Sequence, residues 1–219
     1  APEEAWLDEA LSHIMQELAF YGEAGEAPGQ NIGGGYFGGA GGADNIYRYG
    51  RYLYHTVEGL GDWLANSRAT GPVNGDDSNA AAGAGWAFLR YAADQSFPAG
   101  AQAPFWRALA GSELTGRANL AAALPGELPD YLREFGGALY VDDVAGLGGV
   151  APSLRFPSWN FRSLFAGAGG YPLVTTPLLD GVDDSQTYAA GGGLAWLRAG
   201  VAAGAVAELT FEEIGRAHV

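Results

Sequence analysis

Apolar side chains recur at intervals of three and four residues along three stretches: Leu7, Leu11, Ile14 and Leu18; Ile46, Tyr49, Leu53, Val57, Leu60 and Leu64; and Ala82, Trp86, Leu89 and Ala93. A helix turning every 3.6 residues stacks such positions into one stripe, and that stripe must be buried against another element. The spacing predicts helices over Pro2 to Tyr21, Asp44 to Asn66 and Ala80 to Gln95. Pro2 suits a first helical turn, Glu3 and Glu4 favour its positive end, and Asp44 is a candidate N-cap. The small residues Ala80 to Gly85 permit close helix packing, and Phe97-Pro98 ends that segment.

The connections are read from glycine and proline. Gly22 to Gly42 is expected to be a loop, since its run of glycines holds regular structure only at a cost. Gly71-Pro72 and Asn74-Gly75-Asp76-Asp77-Ser78 form the next connection. Shorter helices are expected at Pro104 to Leu109, Arg117 to Leu124 and Pro129 to Tyr140. Beyond Val141 the pattern changes. Pro152, Pro157, Pro172 and Pro177 interrupt the chain, so Val150 to Ser185 reads as mostly loop. Leu194 to Val201 and Ala205 to Phe211 suggest an antiparallel hairpin through Ala202-Ala203-Gly204. The expected organisation is a helical part over 1–170, a loop and β-hairpin opening a β-rich segment over 171–213, and a separate terminal string over 214–219. That string, Ile214-Gly215-Arg216-Ala217-His218-Val219, is what the start of a common short-read sequencing adapter encodes, and His218 carries no functional argument. The chain opens Ala1-Pro2-Glu3-Glu4 without an initiator Met, as a processed or a truncated N-terminus would.

Composition narrows the function classes. The net charge is -14, from 25 acidic residues against 11 arginines and no lysine, and such a surface repels phosphate backbones, so nucleic acid is not an expected partner. Cysteine is absent, which removes disulfides and thiolate metal sites. No apolar run approaches the roughly 20 residues of a membrane helix. The Gly33 to Gly42 tract lacks the Lys-Ser/Thr of a phosphate loop, and Ser12 has no evident triad partners. Asn74, Asp76 and Asp77, Asp142-Asp143, and Asp180 with Asp183-Asp184 read as turn formers, without the spacing of a calcium loop.

One string carries chemistry: Trp6-Leu7-Asp8-Glu9-Ala10-Leu11-Ser12-His13. On spacing alone, Glu9, His13 and Glu17 share one helix face, and a polar stripe of that kind is ordinarily solvated. The string also resembles the second zinc-binding helix of the gluzincin metallopeptidases, and within them most closely the hyicolysin-like neutral zinc metallopeptidases. Their glutamate helix reads close to Trp-Leu-Asn-Glu-Gly-Leu-Ser-His-Ile. Further likeness lies in Asp77-Ser78, Gly85 to Tyr91, Thr115 to Leu120, Phe156 to Ser163 and Tyr171-Pro172-Leu173, so that it spans roughly residues 5 to 200.

The resemblance implies a mainly α fold, the helical C-terminal lobe of a gluzincin with a short β-hairpin at its C-terminal end. It implies a secreted or cell-envelope endopeptidase acting on protein or peptide with zinc as cofactor. Glu9 is then the zinc ligand. Two roles are open to His13: supporting a metal ligand without touching the metal, or capping a local carboxylate. Catalytic zinc takes three protein ligands and keeps a position for water, and in this clan an H-E-x-x-H helix supplies two histidines and the general base. The sequence contains no H-E-x-x-H. As it stands the chain is expected neither to hydrolyse peptides nor to hold zinc tightly. The oxyanion-stabilising Tyr or His of such enzymes has candidates in Tyr47, Tyr49, Tyr52, Tyr54 and His55, although packing is the better reading of these aromatics. The alternative function is a non-catalytic helical binding or structural protein that keeps the same fold.

Overall fold

In the computed structural model, residues 2–39, 41–73, 77–178 and 192–200 are described. The fold is built around α5 (Asn79–Ser96), whose residues from Ala81 to Ala93 are all buried. A helix apolar on every side belongs inside other helices rather than on a surface. Ser78 starts it by accepting a hydrogen bond from the Ala81 amide at 3.2 Å. Two layers enclose it. On one side α1 (Ala5–Ala24) crosses at Ala10, against Gly85. On another, α4 (Tyr54–Ala65) packs so closely that Gly59 and Gly83 each meet the opposing helix's backbone. A Cβ on Gly83 would overlap the Leu60 nitrogen and the Gly59 carbonyl carbon, so only glycine permits the approach.

The segment expected as one helix over Asp44 to Asn66 is two, α3 (Gly42–Tyr52) and α4, with a break at Leu53 (φ -122°, ψ -17°). A straight helix would carry Ile46 and Leu53 on the same stripe. The bend instead buries Leu53 completely and leaves Ile46 57% exposed. Gly50, one turn before the break, lowers the cost of interrupting the helix. Asp44 lies in the first turn of α3, and the N-cap is Gly41. The loop expected over Gly22 to Gly42 contains a short helix, α2 (Gly34–Gly38). The loop is tied down at Ile32, which bridges Trp159 through Ile32 N to Ser158 O (2.9 Å) and Asn160 N to Ile32 O (2.9 Å).

The remaining helices close the other end: α6 (Ala103–Gly111), α7 (Gly116–Ala123), α8 (Leu128–Val141) and α9 (Phe161–Ala166). Proline occupies the first turn of α6 and α8, where its missing N–H removes no helical bond. The aromatic core joins these layers. Phe135 of α8 packs on Trp63, Phe88, Tyr91 and Phe156 at centroid distances of 5.3 to 5.9 Å.

The expected antiparallel hairpin is corrected in part. β1 (Thr175–Leu178) and β2 (Trp196–Ala199) pair in parallel, Thr175 opposite Trp196, and β1 lies inside the stretch read as loop. Pro177 masked β1, because proline cannot donate to a ladder; it is tolerated here on an edge strand. Ala205 to Phe211, the other half of the expected hairpin, lies outside the described residues. The entry to β2 is held by exchanged bonds with Ser67: Leu194 N donates to Ser67 O (3.0 Å) and Ser67 Oγ donates to Leu194 O (2.8 Å). Tyr171, just before β1, donates to Leu139 O at 2.9 Å. The described residues are therefore mainly α with a small parallel pair at the C-terminal end, and no helix among them is long and apolar enough to cross a membrane.

The α4–α5 contact makes a matched pair of substitutions informative. Gly83→Ala should lose about 1–3 kcal/mol, the usual range for overpacking. Gly22→Ala, at an open position near the end of α1, should be neutral or gain about 0.5–1 kcal/mol from helix propensity. Urea midpoints measure both; equal shifts would contradict the close approach.

Candidate functional site

The buried face of α1 comprises Trp6, Leu7, Ala10, His13, Ile14, Glu17, Phe20 and Tyr21. It is rotated from the stripe read from leucines alone: Leu11 and Leu18 lie at its edge, half-buried, while His13 and Glu17 lie within it. The series Glu9, His13, Glu17 is thus not a solvated stripe. It runs from solvent into the core, with the Glu9 side chain 61% exposed, His13 7% exposed and Glu17 fully buried.

The inner end is neutralised by α5. Arg90, itself fully buried, meets Glu17 Oε2 at 3.4 Å and Asp94 Oδ1 at 3.4 Å. Tyr21 donates to Glu17 Oε1 at 3.1 Å, and Trp159 Nε1 donates to the same oxygen. Arg90 also donates to Gln102 Oε1, and Gln102 Nε2 donates to Asp94 Oδ1 at 2.9 Å. The guanidinium lies 5.2 Å over the Trp106 ring. Burial pushes the Glu17 carboxyl above its ordinary range, with Arg90 and the Trp159 N–H pulling against it. Burial also works against the charge on Arg90, yet the neighbouring carboxylates of Glu17 and Asp94 offset this and leave it above its usual value. Arg90 therefore keeps its charge, while Glu17 takes up a proton at higher pH than a free carboxyl does.

The outer end faces an open cleft. Ala5, Trp6, Asp8 and Glu9 of α1 line a space of about 260 Å³ together with Asp77, Ala81 and Ala82 at the start of α5. Trp6 is fixed by donating through Nε1 to Glu4 at 2.8 Å. Glu3 reaches across to the start of α7, accepting from Gly116 N (2.5 Å) and Asn119 Nδ2 (2.7 Å). Below the cleft, His13 Nε2 lies 3.6 Å from Glu9 Oε1, and its Nδ1 is 2.6 Å from Thr56 Oγ1 of α4. Burial lowers the His13 pKa, opposed by Glu9 and Gln16 and assisted by His55. Glu9 and His13, one turn apart on α1, lie together at this cleft.

The aromatic candidates are not at this cleft. Tyr47 and Tyr54 are exposed, Tyr49 is half-buried against Phe37 at 5.0 Å, and Tyr52 donates to Glu23. His55 lies on the surface with Nδ1 3.5 Å from Glu58. None of them lines the space in front of Glu9. Sequence reading missed Thr56, Arg90 and Gln102. Arg90 and Asp94 are four apart and readable as a helix pair, but the partnership with Glu17 spans 73 residues and leaves no local signal. Thr56 sits between His55 and Val57, with nothing to mark it.

Zinc needs three protein ligands, and among the described residues no group of three or more His, Cys, Asp or Glu side chains is placed to hold a metal ion. Glu9 is one exposed carboxylate at the cleft, and the described residues do not complete a zinc site around it. Compared with protein-family models, curated proteins and solved structures, the chain has no match.

The pH behaviour of the inner end is testable. The folded-state pKa of Glu17 lies above its unfolded value of 4.5, so its contribution to stability is fully present below that value. The contribution is lost as pH rises through the folded-state pKa. The stability of the native chain relative to Glu17→Gln, followed by urea unfolding, should accordingly fall as pH rises from acid toward neutrality. Arg90→Met should cost about 3–5 kcal/mol near neutrality by leaving buried carboxylates uncompensated. A pH-independent difference would show that Glu17 does not titrate above a free carboxyl.

Proposed function

We propose that this chain is part of a zinc-dependent endopeptidase, with Glu9 as the carboxylate ligand and protein or peptide as substrate. The observation that carries the reading is the placement of Glu9. It stands exposed at the rim of an open cleft, at the outer end of the helix face that carries buried His13 and Glu17 into the core. A ligand on a rigid helix keeps its direction. The likeness of Trp6 to His13 to the gluzincin glutamate helix supports the same role. The two histidines and the general base would come from an H-E-x-x-H helix in sequence preceding residue 1. Bound there, zinc would supply an activated water and polarise the scissile carbonyl. This chain's own part is to aim the Glu9 carboxylate and to wall the cleft with Trp6, Ala81 and Ala82. A secreted or cell-envelope location follows from the same resemblance and belongs to the same proposal.

A second reading has its own support. The sequence carries no H-E-x-x-H, and the described residues hold no metal-binding group. A non-catalytic helical protein that retains the fold without the metal accounts for both facts.

Zinc content separates the readings. In the protein that joins this chain to its preceding sequence, the native form should retain about one zinc per molecule after dialysis and cleave a protein substrate. Glu9→Ala should lose most of both, at unchanged helicity. The 219-residue chain alone should retain none. Unchanged zinc content and proteolysis in Glu9→Ala would remove Glu9 from the metal, and a preceding sequence without paired histidines would leave the scaffold reading.

A further inference from the structure

Residues 2–4 precede α1 without helical structure, yet they are fastened to α7, 113 residues further along the chain. The Glu3 carboxylate sits at the N-terminal end of that helix. Its Oε1 accepts from Gly116 N at 2.5 Å and from Glu4 N at 2.8 Å, and its Oε2 accepts from Asn119 Nδ2 at 2.7 Å. Asn119 is 2% exposed and is braced from behind, donating to Leu109 O at 2.9 Å. Thr115, the N-cap residue of α7, makes no side-chain cap bond, so the cap comes from Glu3. A carboxylate there meets free N–H groups and the positive end of the helix together. Beside it, the Glu4 carboxylate lies against Gly116, where a Cβ would overlap it. Glu4 also accepts from Trp6 Nε1 at 2.8 Å, and Trp6 walls the cleft with Ala5, Asp8 and Glu9.

We propose that residues 2–4 form a latch that sets the cleft wall: Glu3 is the bolt, the start of α7 is its seat, and Glu4 passes the hold on to Trp6. The core anchors α1 from Leu7 inward, since Leu7, Ala10 and Ile14 are fully buried. The turn ahead of them has no side-chain cap of its own, because Glu4, the N-cap residue, gives its carboxylate to Trp6. An uncapped first turn frays unless something else ties it down. Here the tie is the Glu3 carboxylate on α7. Released, the strap carries Glu4 away from the Trp6 indole, and the cleft opens at this end. Gly116 is required twice over, by its φ of 56° and by the space that Glu4 occupies. The latch is independent of what the cleft binds and of any role for Glu9.

Hydrogen exchange of the full chain, followed residue by residue with NMR, tests the latch. Glu3 is only half-buried, so Glu3→Ala leaves the core intact and the circular dichroism unchanged. It should speed exchange about 10-fold or more in two separate places at once. One is the first turn of α1, at the amides of Leu7 and Asp8 that bond to Glu4 O. The other is the start of α7, at the amides of Gly116 and Asn119. The Trp6 indole N–H should exchange faster as well, while α5 and α8 keep their native protection. Gly116→Ala, which places a methyl group where Glu4 lies, should free the Trp6 indole in the same way. The double variant should expose it no further than the stronger single one, since either change opens the same latch. Native protection of the Trp6 indole in Glu3→Ala overturns the proposal, whatever Gly116→Ala does. A loss of protection confined to α7, or two effects on Trp6 that simply add, overturns it equally.

Discussion

Arg90 decides how α1 sits. A fully buried carboxylate is tolerated only when a charge and several donors meet it, and Glu17 has Arg90, Trp159 and Tyr21 around it. Three separate parts of the chain converge there: α1, α5 and the segment before α9. Because the Glu17 side chain must point at Arg90, the rotation of α1 about its axis is set. Two turns earlier on the same face, Glu9 then emerges at the edge of the helix pair and not on its far side. The charge in the core and the charge at the cleft are thus coupled by helix geometry alone, and the close fit of Ala10 on Gly85 keeps α1 at the depth where both can be reached.

Much of the sequence on which the proposed gluzincin likeness rests is core. In the stretch from Gly85 to Tyr91 every residue is buried, and Phe156, Trp159 and Phe161 are as well. These residues are α5 itself and the aromatics packed around it, and apart from Arg90 they are packing residues. The likeness across that region accordingly speaks for a packing arrangement, and only the first two turns of α1 speak for a metal. A protein that had kept the arrangement and lost the metal would preserve the same buried set, which is why the function turns on Glu9 and its immediate neighbours.

Helix placement was legible where apolar spacing and a stop signal coincided. α5 was expected from Ala80 and ends at Phe97-Pro98, and α8 begins around Pro129, both as read; the Ser78 cap was not read. Legibility failed where tertiary contacts override local pattern. The break at Leu53 follows no proline, and what sets it apart from the local pattern is tertiary: Leu53 is fully buried while Ile46, on the same stripe of a straight helix, is exposed. β1 was hidden by Pro177, and the parallel partner of β2 lies about twenty residues upstream, beyond any hairpin signal. At the site, Glu9 and His13 were singled out because they share a motif. Glu17 was placed on the correct face and given the wrong environment, since an acid at helical spacing looks the same whether water or an arginine from another helix receives it. Thr56 was invisible for the same reason.

The central claim is that the Glu9 carboxylate is a zinc ligand. X-ray absorption at the zinc edge of the metal-loaded protein tests it most directly, because it counts the atoms in contact with the metal. The account predicts a carboxylate oxygen at about 2.0–2.2 Å that disappears from the spectrum of Glu9→Gln while the nitrogen shell remains. A first shell identical in the two proteins would contradict it.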